Sequence, residues 1–202
     1  MKNYPKSNTD TAHADTSIEK LPVLMRLMLP AHSESASSFR KKLNDAGCYI
    51  TQDAHQLLET ASFQDAPKSR EVELVTLSAR SLGFDYDKIK HGTGLYKYIC
   101  EIAVAHGLEL CPPQVGPLLR IQYRNQPPGE HLVLGMQAIP VSAHTSHVFG
   151  LSSIAGPMRF LLPGQRQLEL RANSDDTYSA NDIFVFIRPR KDKGSSEQAP
   201  RY

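Results

Sequence analysis

The chain has 202 residues, 40% hydrophobic and 22% charged, enough to bury a sizeable core and within the range of one large or two small domains. Its formal net charge of +2, from 23 Lys and Arg against 21 Asp and Glu, is too near balance to imply a general electrostatic hold on nucleic acid or an anionic membrane. No run reaches the roughly 18 apolar residues of a membrane helix, the opening MKNYPKSNTDTAHADTS has no apolar signal region, and Cys48, Cys100 and Cys111 follow no zinc spacing and cannot all pair, so the expectation is a cytoplasmic protein with neither membrane nor cofactor.

Residues 1–17 are polar and carry too few large apolar side chains to offset the entropy of ordering, and they are expected to form a tail. Leu21 to Leu29 is a short apolar run interrupted by Pro22 and closed by Pro30, read as a strand. Ser35 precedes Phe39 and Leu43 at i,i+4 spacing and Gly47 follows them, the signature of a helix of about three turns. A second short helix is expected from about Asp53 to Thr60 with Leu57 and Leu58 inward, before the polar loop SFQDAPKSR. Val72, Leu74, Val75 and Leu77 then suggest a strand. After the glycine-containing segment LGFDYDKIKHGTG, Leu95, Ile99, Ile102 and Ala103 repeat at helical spacing until Gly107, with Tyr96, Tyr98 and Cys100 as packing residues.

Beyond Gly107 the period reads as two. Leu118, Leu119, Ile121 and Tyr123 followed by RNQPPGE and HLVLGMQAI suggest a hairpin, with further strands at His147–Ile154, Met158–Leu162, Gln167–Arg171 and Ile183–Arg190. The resulting expectation is an α+β fold. It comprises a single unit over residues 18–191, mostly helical over 18–107 and mainly antiparallel, even barrel-like, over 108–191, with residues 192–202 fraying.

The segment from Cys111 to His131 concentrates five prolines and two glycines around Arg120, Gln122, Arg124, Gln126, Glu130 and His131. On a strand, Arg120, Gln122 and Arg124 share one face, which suits a ligand or phosphates; a solvated face is the simpler alternative. Nine Lys and Arg against six Asp and Glu lie between Leu118 and Lys193, and Arg188 and Arg190 join the binding candidates. Phe184 and Phe186 supply a stacking surface if they face outward, and core residues if they do not. Cys111, Glu130 and His131 are the candidates for nucleophile, acid and base. His144 and His147 form H-x-x-H, and with His131 they are the candidate metal ligands, although i and i+3 on a strand point to opposite faces. Asp85, Asp87, Asp175 and Asp176 lack the regular oxygen spacing of a calcium loop and fit turn and capping roles.

The run ELCPPQVGPLLRIQYRNQPPGEHLVLGMQAI resembles a segment of a group of uncharacterised bacterial proteins, and the stretch around Asn181–Arg190 resembles their C-terminal ends. The resemblance covers about the C-terminal half. It implies a bacterial origin and a shared fold, and it carries over no activity and no catalytic residue. The functional expectation is a non-enzymatic binding or regulatory protein that recognises another protein through its β half. The alternatives are a weak nucleic-acid binder using an arginine-bearing β face, and a small hydrolase or metal-dependent enzyme centred on residues 111–147.

Overall fold

The computed structural model describes residues 18–82, 95–155, 166–174, 178 and 181–190. The expected tails at 1–17 and 192–202, the strand at Met158–Leu162, and the residues Asp85, Asp87, Asp175 and Asp176 lie outside them. The chain runs β1 (Val23–Leu29), α1 (Ala36–Asp45), β2 (Tyr49–Ile50), α2 (Gln52–Thr60), β3 (Arg70–Ser78), α3 (Leu95–Ala105), α4 (Val115–Gln122), β4 (His131–Leu134), β5 (Ile139–Pro140), β6 (Ser146–Ala155), β7 (Arg166–Ser174) and β8 (Ile183–Arg188). All eight strands join one curled, half-barrel sheet in the order β1-β3-β8-β4-β6-β7-β2, with β5 added beside β6. Most pairings are antiparallel; β4 with β8 and β2 with β7 run parallel.

The helices form where the sequence supplies caps. The Ser35 side chain accepts a hydrogen bond from the Ser38 N–H and opens α1, whose Phe39 and Leu43 face the core, and Gly47 at φ 67° turns the chain out. Thr51 caps α2 through the Ala54 N–H, and Ala54, Leu57 and Leu58 are buried. In α3, Tyr96, Ile99, Cys100 and Ala103 are buried, whereas Tyr98 is exposed.

The α+β class holds, while the ordering of a mostly helical first half before a mainly β second half is not cleanly drawn, because helices and strands, including the two expected at Leu21–Leu29 and Val72–Leu77, alternate along the chain. β1, β2 and β3 come from residues 18–107, and one helix comes from the later half. Leu118 to Tyr123 form no hairpin strand: residues 115–122 are α4, and β4 pairs instead with β6 and β8. The physical reason is burial of the first six of the eight residues of α4. Val115, Gly116, Pro117, Leu118, Leu119 and Arg120 are all buried, so α4 has little polar face to display a helical period, and Pro117 sits in the first turn, where its missing N–H costs nothing.

Alternation across the sheet separates two faces. The register row Ile183, Leu132, Leu151, Leu170 and Ile50 lies on the inner face. Helix α4 packs on that face and touches β1 as well as β6 and β7, strands from opposite ends of the sheet, so the sheet curls around it. Helix α1 packs on α4 and β2, while α2 packs on β5, β6 and β7. The seat of α4 is tight, because a Cβ built on Gly116 would stand 2.7 Å from the Phe149 ring of β6. We expect Gly116→Ala to destabilise the fold by about 2 kcal/mol, with partial recovery in Gly116→Ala/Phe149→Leu, measured by urea unfolding. A neutral single variant would disprove this contact.

Candidate functional site: a polar row and a charged cleft on the outer sheet face

The outer face carries the row Leu77, Phe184, Val133, Gly150 and Arg171, flanked by His131, Ser152 and Glu169 on one side and by Val75 and Phe186 on the other. Phe184 and Phe186 are fully buried. Tyr96 of α3 lies 6.3 Å from Phe184 and Tyr178 lies 5.4 Å from it, ring centre to ring centre. The Tyr96 hydroxyl is 2.7 Å from the Leu134 and Met136 carbonyls and accepts from the Met136 N–H. The aromatic residues are therefore a covered plate, and no stacking surface is left at Phe184 or Phe186. On either side of that plate the outer face is polar.

The first polar region spans β4, β6 and β7. The His131 ring is held from both sides, with Nδ1 3.0 Å from Ser152 Oγ and Nε2 2.9 Å from Asn173 Nδ2. Arg171 Nη1 approaches the same Ser152 Oγ at 3.5 Å and Glu169 Oε2 at 3.9 Å, while Gln167 Nε2 donates to Glu169 Oε1 at 2.7 Å. Burial, reinforced by the Arg171 charge, lowers the pKa of His131 against the opposing influence of Asp182, which favours a neutral imidazole. Gly150 permits this arrangement: a Cβ there would come within 3.0 Å of the Asn173 side chain.

The second region is a cleft of about 700 Å³ over β1, β3 and β8, lined by Ile18, Glu19, Arg26, Glu71, Glu73, Arg188, Pro189 and Arg190. Glu73 bridges Arg26 at 3.3 Å and Arg188 at 2.6 Å, and Arg190 pairs with Glu71 at 2.8 Å. Arg188 also donates to the Leu21 carbonyl at 2.6 Å.

The residues singled out by sequence are distributed among different roles. Arg188 and Arg190 line the cleft, but Arg120, Gln122 and Arg124 share no strand face, because they occupy α4 and the turn after it. Arg120 is fully buried and donates to Gln126 Oε1 and to the Tyr123 carbonyl; Gln126 in turn donates to the Glu130 and Leu151 carbonyls. Arg124 donates to the Ala46 carbonyl at the end of α1. These three hold α4 and its loop in place.

Cys111 and His131 do not meet. Cys111 sits beside Gly135, accepting no partner from the histidine, and four residues of strand, about 13 Å, separate Gly135 from His131. Burial pushes the Cys111 thiol pKa far above its ordinary value and that of Cys100 up to about 11, which keeps both protonated and poorly nucleophilic. Burial and the nearby Glu130 charge push the Tyr123 phenol up to about 12, and among the described residues the buried Glu130 Oε2 atom has no hydrogen-bond partner. His144 is exposed in the β5–β6 turn, and His147 lies on the opposite sheet face from His131, five residues along β6 from His131's register partner Ser152, about 17 Å. Among the described residues no three His, Cys, Asp or Glu side chains gather as a metal site.

Sequence reading missed Ser152, Arg171, Asn173 and Glu169. The alternation of Glu169, Arg171 and Asn173 with Leu168, Leu170 and Ala172 marks a polar strand face, but nothing local links it to His131. Comparison with protein-family models, curated proteins and solved structures finds no match to this chain.

Two outcomes test these roles. Arg120→Met should lower stability by about 3 kcal/mol in urea unfolding, because it leaves buried acceptors at Gln126 and Tyr123 without their donor; a near-neutral result would remove Arg120 from the fold's support. His131 titrates lower in the folded protein than its ordinary value of 6.5, so the unfolded chain takes the proton first as pH falls. Its stabilisation is present in full above that value and declines below it, until the lowered folded-state pKa is reached. Between about pH 7.5 and about pH 5.5, wild type should therefore lose more stability than His131→Gln; parallel losses would contradict the assignment.

Proposed function

We propose that the protein is a non-enzymatic binding protein, regulatory in role, that recognises an extended polypeptide segment along β1 and the cleft beside it. The observation that carries this reading is the row Val23, Arg26 and Met28. By register with Val75, Glu73 and Glu71 these side chains share the outer face of β1, and their exposures are 49%, 68% for the Arg26 side chain, and 53%. Two exposed apolar groups thus flank a cation on a strand that, among the described residues, pairs along one edge only, with β3.

An edge strand offers a second segment its unused N–H and C=O groups, and alternate side chains supply specificity. Pro22 and Pro30 bracket the seven residues of β1 and limit the length that can be added. The described cleft lining contains no Ser, Thr, Cys or His, which suits recognition better than group transfer. Its arginines already face glutamates, which favours a partner of mixed charge over a polyanion such as nucleic acid. The matching segment carries an acidic side chain between two apolar ones.

Selection from a displayed library of extended peptides should enrich that pattern, and Met28→Asp or Arg26→Glu should weaken the selected peptides about tenfold or more in calorimetry, with folding verified by circular dichroism. Selected peptides that bind both variants as tightly as wild type, or a library that yields none, would overturn the proposal.

A further inference from the structure

The polar row on β4, β6 and β7 lies apart from the peptide-binding reading and takes no part in it. We propose that this row is a binding site for a small oxyanion, a carboxylate or a phosphate, held by the Arg171 guanidinium and the Ser152 hydroxyl with His131 at its base.

Counting hydrogens leads to the hydroxyl. A neutral imidazole has one N–H. With the Asn173 amide donating to Nε2, the ring proton sits on Nδ1 and points to Ser152 Oγ, which Arg171 Nη1 also approaches. Oγ then receives from two donors, and its own hydrogen is directed to no described protein acceptor. An oxygen of an incoming anion satisfies it.

Arg171 supplies the charge. Its side chain is 44% exposed, and its ion-pair contact with Glu169 is loose at 3.9 Å, while the other Glu169 oxygen is taken by Gln167. The guanidinium fork can therefore turn toward two oxygens of one ligand, the geometry in which Arg binds carboxylate and phosphate best. The site is also held ready. Asn173 reaches His131 across Gly150, where a Cβ would crowd the amide, so a residue without a side chain at 150 fixes the ring that orients Ser152. Asn173 and Gly150 are positioning residues.

The groups facing His131 are Ser152 of β6, Asn173 and Arg171 of β7, and the Asp182 charge near the start of β8. A bound anion offsets the Arg171 charge and favours the protonated ring, so binding and proton uptake at His131 are linked and each strengthens the other.

The test is NMR titration of the His131 ring in the full chain, with inorganic phosphate and acetate in separate arms and chloride at matched ionic strength as the control for screening. The expected result is a saturable shift of the His131 resonances with an upward movement of its titration midpoint, absent with chloride. Response to phosphate alone, to acetate alone or to both assigns the ligand class. Arg171→Gln should weaken binding about tenfold or more, Arg171→Lys should recover only part of it, and Ser152→Ala should weaken it while the ring still titrates. No saturable response to either anion in the tens-of-millimolar range, or one unchanged in Arg171→Gln, would overturn the proposal. Because Arg26 and Met28 are not in this row, its failure leaves the peptide reading standing.

Discussion

The contact between Gly116 of α4 and the Phe149 ring of β6 leaves no room for a Cβ, and the shape of the molecule depends on that closeness. A helix seated this near a sheet reaches strands at both of its ends, and α4 touches β1 as well as β7. An open sheet twists and leaves its end strands apart. Here β1 at one end and β7, next to the other end, share one helix as their core, so closing the curl and burying α4 are the same event. The apolar row Ile183, Leu132, Leu151, Leu170 and Ile50 is the floor against which this happens.

A helix surrounded by protein must satisfy its own ends and any charge it carries. Arg120 has no route to solvent, and its cost of burial is offset by donating into the loop that follows: to the Tyr123 carbonyl and, through Gln126, onward to Glu130 and Leu151. Arg124 performs the corresponding task outside the core by donating to the carbonyl that ends α1. The arginines that look from sequence like a ligand-binding stripe are thus the ties between α4, its loop and α1. An arginine fork suits this because it reaches several carbonyls from one rigid plane.

Helices with solvent on one side were legible, because caps and spacing are local: Ser35 with Phe39 and Leu43, Leu57 beside Leu58, Leu95 with Ile99 and Ala103. Helix α4 was not, since burial of Val115 through Arg120 erases most of the polar face that would reveal its period, and Leu118, Leu119, Ile121 and Tyr123 fit a strand as readily. The two-residue β2 was invisible for another reason, because it exists only by pairing with Glu169 and Leu170 far along the chain. The candidate site was half legible in the same sense. His131, Arg188 and Arg190 could be named from their settings, but Ser152 and Asn173 join His131 across 21 and 42 residues, and only register brings them together.

The outer face shows how one sheet can keep two polar regions separate. Phe184 and Phe186 of β8 project outward at its centre and are covered, with Tyr96 fixed over them by the Leu134 and Met136 backbone. Gly135 admits the Phe186 ring so closely that a Cβ there would stand 2.1 Å from it, which ties the same plate to the strand end beyond β4. Charges on β1, β3 and the end of β8 are left to one side, and the His131 row to the other. A dry aromatic plate between them prevents either set from neutralising the other. Glu71 and Glu73 therefore compensate the arginines of the cleft through close pairs, while Arg171 meets Glu169 only at 3.9 Å and Ser152 Oγ at 3.5 Å. That looser pairing, and not an excess of positive charge, lets the Arg171 fork of the His131 row turn to an anion more readily than the closely paired arginines of the cleft.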